Sequence, residues 1–127
     1  MTDPQFEQLK SEAEQLKALR TQKPIPARVR LVQDALNSKW EGTRSLAVQT
    51  LAEWGKPEFK ELLKPILLDE LASSSDYRSY IRVLSDSLAR LVEPSDSEWV
   101  ADLLSKNEKH LWDLRALSTK LKLFAPK

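Results

Sequence analysis

The chain contains no cysteine, two glycines, one histidine and one methionine among its 127 residues. Without cysteine there are no disulfides and no thiol chemistry, which fits a reducing cytoplasm, the expected location. Gly42 and Gly55 alone can build neither a glycine-rich dinucleotide loop nor a P-loop. A metal site wants several nitrogen, sulfur or carboxylate ligands at defined spacing, and His110 stands alone. Ser/His/Asp chemistry would have to pass through the same histidine, beside Leu111 and Trp112, where no nucleophile motif occurs. No enzymatic activity, catalytic residue, metal or cofactor is therefore expected. No apolar run approaches the roughly 18 residues of a membrane-spanning helix, and the opening "MTDPQFEQLKSEAEQ" is too acidic and polar for a signal peptide. No membrane association is expected.

Charge of one sign is also missing. Twenty basic side chains balance nineteen acidic ones, for a net charge of +1. Residues 1–64 carry eleven basic and nine acidic groups, and residues 65–127 carry nine and ten, so neither half has a strongly basic footprint for nucleic acid.

What is present is helical periodicity. No stretch alternates strictly as a half-buried strand does, and the pattern predicts seven helices joined by short polar turns. Thr2 or Asp3 can cap the first, with Pro4 at its first position and Phe6, Leu9, Ala13 and Leu16 on one face. "TQKPIP" (21–26) interrupts, and Pro26 opens a second helix carrying Val29, Val32, Ala35 and Leu36. "TRSLAVQTLAEWG" (43–55) forms a third, with Gly55 as its stop. "EFKELLKPILLDEL" (58–71) is strongly apolar at helical spacing yet holds Pro65 in its middle, at a cost of about 3 kcal/mol. "SSSD" (73–76) breaks that helix and caps the next, which runs to Pro94. Ser95 to Glu98 spells S-x-x-E, a capping box for a sixth helix, and Asn107 can cap a last one ending near Phe124.

After the first helix, the other six fall into three pairs that align with one another. Second members overlay with offsets of 37 and 33 residues, so that Ala47, Leu84 and Leu117 coincide, as do Leu51, Leu88 and Leu121, then Trp54, Leu91 and Phe124. First members overlay with offsets of 35 and 33, bringing Val32, Leu67 and Val100 together, then Leu31, Ile66 and Trp99, then Leu36, Leu71 and Leu104. In its best-matching pair, "LVQDALNSKWEGTRSLAVQTLAEWG" (31–55), with Arg44 entering the second helix, small Ala47, Leu51 and the closing Gly55, the chain resembles the HEAT repeat family of α-solenoids. The resemblance covers residues 27 to about 124. The second and third pairs depart from the pattern, since Leu84 and Leu117 replace the small residue and no glycine closes either pair.

The resemblance implies an all-α fold, a short right-handed α-solenoid of about three HEAT-like helix pairs (27–124) preceded by an N-terminal capping helix (1–22), in a single domain. It also accounts for Pro65, because first helices of the family are often kinked by proline. A generic seven-helix bundle is the alternative architecture.

In HEAT arrays the second helices line the surface that binds partners, and here their outward positions run Ser45, Arg82, Arg115, then Gln49, Asp86, Thr119, then Glu53, Arg90, Leu123. A solvated face explains these rows equally well. Of the four tryptophans, Trp54 and Trp99 fall in apolar columns and belong to a core, whereas Trp40 lies in a turn where it can cover the end of a helix pair. Trp112 aligns with Ser79 and Gly42, off the apolar columns, and is the one expected at the surface. An exposed tryptophan beside arginine is a common binding hot-spot composition. The expected function is thus a non-enzymatic scaffold or interaction module that binds a protein or peptide partner through Arg82, Asp86, Arg115 and Trp112. The alternative is nucleic-acid binding, by resemblance to HEAT-like DNA alkylation repair glycosylases, whose grooves use the same residue types. The near-neutral charge and the small number of repeats speak against it.

Overall fold

The computed structural model describes residues 4–73 and 78–124. The capping residues Thr2 and Asp3, the Ser74–Asp76 part of the expected "SSSD" break and the side chains of Phe6 and Leu9 lie outside the described residues. Every regular element among the described residues is helical: α1 (Pro4–Leu19), α2 (Pro26–Ala35), α3 (Glu41–Trp54), α4 (Lys60–Ala72), α5 (Arg78–Leu91), α6 (Ser97–Lys106) and α7 (Arg115–Phe124), with short 3-10 turns ahead of α4, α6 and α7. None of these helices is long and apolar enough to cross a membrane. The chain divides into two compact units, Met1–Trp54 and Gly55–Lys127.

In the first unit α3 packs on both α1 and α2. Leu16, Val32, Ala47, Val48 and Leu51 form its buried centre. The Trp54 indole is half-buried, and its Nε1–H donates to the carbonyls of Leu19 at 3.1 Å and Gln22 at 2.9 Å. The Leu19 carbonyl also accepts the Gln22 N–H at 3.0 Å, so the indole adds a second donor there and ties α3 to the end of α1. Gly55 follows with φ 72°, the left-handed conformation that ends a helix and that glycine adopts at no steric cost.

In the second unit α4 packs on α5, α6 on α7, and α5 on α7. Leu63, Leu67, Leu84, Leu88, Val100 and Leu117 are each 0% exposed. Each such burial contributes roughly 1.5–3 kcal/mol. Helix α4 continues past the proline position without a break. Pro65 sits on its exposed side while Leu63 and Leu67 point inward. The carbonyl that loses its donor is that of Glu61, itself an exposed residue, so water can replace the missing bond.

Two aligned columns are buried throughout: Val32, Leu67 and Val100, and Ala47, Leu84 and Leu117. The column of Leu31, Ile66 and Trp99 is peripheral, with Leu31 56% exposed and the other two half-buried. Those residues precede the inward column by one position, a rotation of about 100° around the helix axis, which takes them off the core.

Three boundaries differ from the sequence reading. Helix α3 begins at Glu41, two residues earlier than expected. The capping box ahead of α6 is Glu93 with Asp96, not Ser95 with Glu98: the Asp96 carboxylate accepts the Glu93 N–H at 2.8 Å, and the Glu93 side chain accepts the Asp96 N–H. The last helix begins at Arg115, because Asn107 does not cap it; the Asn107 amide instead donates to the Leu103 carbonyl at 2.8 Å and closes α6. Residues 108–114 form a 3-10 turn and a looser turn that carry Asp113 and Leu114 into the interior.

Candidate functional site

Helices α5 and α7 pack side by side, and their exposed rims carry the residues singled out from sequence. Arg82 and Asp86 stand one turn apart on α5, both exposed. Arg115 opens α7, and Trp112 lies in the turn before it. Trp112 is 68% exposed, and the Arg115 guanidinium stacks on its ring with the central carbon 4.2 Å from the centroid. Such a pairing holds the indole in place while leaving its other face to solvent.

Between these residues lies one that the sequence reading passed over. Asp113 is 6% exposed, and its carboxylate faces Arg82 Nε at 3.5 Å on one oxygen and His110 Nδ1 at 3.7 Å on the other. Asp113 thus ties Arg82 of α5 to the turn that carries Trp112, on which Arg115 stacks, and Asp86 stands one turn further along α5. His110, whose side chain is 12% exposed, is a packed residue that helps enclose Asp113. A signal for Asp113 exists in the repeat alignment. It falls in register with Tyr80 and Thr43, a column four residues ahead of Leu117, Leu84 and Ala47, and all three members are buried.

The outward rows hold. Arg82, Arg115, Gln49, Asp86, Thr119, Glu53 and Arg90 are exposed, as is Leu123 at 74%; only Ser45 is half-buried. Gln49 accepts a hydrogen bond from Arg20 at 2.7 Å. Trp40, Trp54 and Trp99 are all half-buried. The expected core role of Trp54 and Trp99 is modified accordingly: Trp54 works through its N–H, and Trp99 carries the Lys64 ammonium 4.8 Å from its ring centroid.

A second charged cluster joins α4 to the turn before α6. Asp96 accepts from Lys60 at 2.7 Å and from Lys64 at 3.1 Å, in addition to the Glu93 N–H. Burial pushes its carboxyl up, but the hydrogen bonds from Lys60, Glu93 and Lys64 together outweigh burial and hold it at about 2. The same bonds to Asp96 and then Glu93 raise the Lys60 ammonium against the opposing effect of burial. With its acceptors filled, Asp96 is a structural clamp rather than a base. Among the described residues no group of three His, Cys, Asp or Glu side chains is arranged to hold a metal ion.

No family model, no curated protein and no solved structure matches the chain.

Proposed function

We propose that this chain is a non-enzymatic interaction module whose α5–α7 face binds a protein or peptide partner, with Trp112 as anchor and Arg82, Asp86 and Arg115 around it. The exposure of Trp112 under a stacked Arg115 carries this reading. Covering an indole of that exposure contributes on the order of 3 kcal/mol at about 25 cal/mol per Å², and tryptophan with arginine is the composition of binding hot spots. Leu111, 44% exposed, and Leu123 add apolar area on the same segment. The architecture proposed with it is the short solenoid of HEAT-like pairs. In its support, α5 and α7 are the second helices of their pairs and pack together, each also against its own first helix.

The test is capture from a cell extract by the wild type, by Trp112→Ala and by Arg82→Glu/Arg115→Glu, followed by a binding isotherm with the purified captured protein. The reading expects a loss of at least about tenfold in affinity for both variants. Equal affinity for all three forms removes this face from the interaction. Recovery of nucleic acid, with affinity falling steeply as salt rises, replaces the protein partner with the repair-like alternative.

A further inference from the structure

The first unit holds a cavity of about 450 Å³ between α1 and α2, a size typical of small-molecule sites. Its apolar wall is Leu16, Leu19, Leu31 and Ala35, and Trp40 closes one side. Leu31, 56% exposed, leaves apolar surface on this wall for an occupant to cover. Among the described residues the charged lining is acidic on balance, with Glu12 and Asp34 against Lys39.

Two observations point to the charge of the occupant. Glu12 Oε2 is shut off from solvent and receives no hydrogen bond, while Oε1 takes only a long one, 3.4 Å, from Gln8. A carboxylate oxygen removed from water without a donor is costly, and a cationic donor is its best partner. Trp40 already presents its ring to a cation: the Lys39 ammonium lies 5.2 Å from the centroid, and Lys39 is an exposed side chain that can swing aside.

We propose that this cavity binds a small organic ammonium ion with an apolar body. On binding, the Glu12 side chain turns its carboxylate toward the ammonium, Asp34 adds long-range attraction, and the apolar body lies against Leu31 and the Trp40 ring. This site is in the first unit and stands independently of the α5–α7 face.

Nuclear magnetic resonance titration of the full chain tests it, with the Trp40 indole N–H as reporter. Phenethylammonium is expected to shift that resonance saturably, and the neutral isostere 2-phenylethanol to bind at least about tenfold more weakly. Glu12→Gln, checked for fold by circular dichroism, should weaken phenethylammonium by about tenfold or more. Asp34→Asn, a change at an exposed position, should weaken it about threefold at low salt and decides the matter if Glu12→Gln does not fold. Absence of a saturable shift, equal binding of the alcohol, or unchanged affinity in the folded variants each overturns the proposal.

Discussion

Lys60 Nζ and Asp96 Oδ2 lie 2.7 Å apart, joining the first turn of α4 to a carboxylate that also caps the chain entering α6. Their side chains are 12% and 9% exposed, so water screens the pair little. The link spans 36 residues of sequence, and Lys64 reinforces it from the next turn of α4.

Acid should weaken the fold through this clamp. The Asp96 carboxyl is held at about 2 against 3.8 in the unfolded chain, so its contribution is complete above pH 4 and is lost as pH falls from about 4 to 2. The depression corresponds to about 2 kcal/mol. Urea unfolding as a function of pH is expected to show that loss in the wild type, with a clearly smaller slope in Asp96→Asn. Lys60, raised in the fold, contributes stability below its ordinary 10.5 that disappears only as pH rises past its folded value, outside the acid window.

Pro65→Ala should stabilise the protein by about 1–2 kcal/mol. The gain is the recovered helical bond to the Glu61 carbonyl, reduced by the extra freedom of the unfolded chain. Leu67→Ala, two positions on and 0% exposed, should instead cost about 2–5 kcal/mol. Chemical denaturation of both variants checks the contrast; a destabilised Pro65→Ala protein would show that α4 needs the proline's geometry.

Trp54→Phe keeps most of the buried ring but removes the donor shared by the Leu19 and Gln22 carbonyls. A loss of about 1–2 kcal/mol is expected. Amide exchange should quicken in the last turn of α1 before it does elsewhere, since that turn loses a hydrogen-bonded tie to α3.

Trp112 should dominate the response to a soluble quencher. With 68% of its surface exposed, it is reached by iodide far more readily than the three half-buried tryptophans. Trp112→Phe is expected to remove most of the quenchable emission and blue-shift the rest, while changing stability by less than about 0.5 kcal/mol. Unchanged quenching in that variant would place the indole away from solvent.

The helices and their inward faces were legible in the sequence because they depend on local chemistry. Proline at Pro4 and Pro26, glycine at Gly55 and apolar residues at helical spacing act within a few residues of one another, so seven helices and two buried columns follow from the string alone. The exposure of Trp112 was legible for the same reason, as a position off the apolar column.

Tertiary structure decided what local chemistry left degenerate. Ser95–Glu98 and Glu93–Asp96 both have capping spacing, and the choice fell to Asp96 because Lys60 and Lys64 reach it from α4. Asn107 has the chemistry of an N-cap, yet α7 begins eight residues later, where the preceding turn delivers Asp113 to Arg82 on α5. The sequence by itself determined which segments coil and which side they bury; the meeting of charges 31 to 36 residues apart determined where helices start and which side chains share a surface. Such pairings depend on packing in three dimensions, and no local period encodes them.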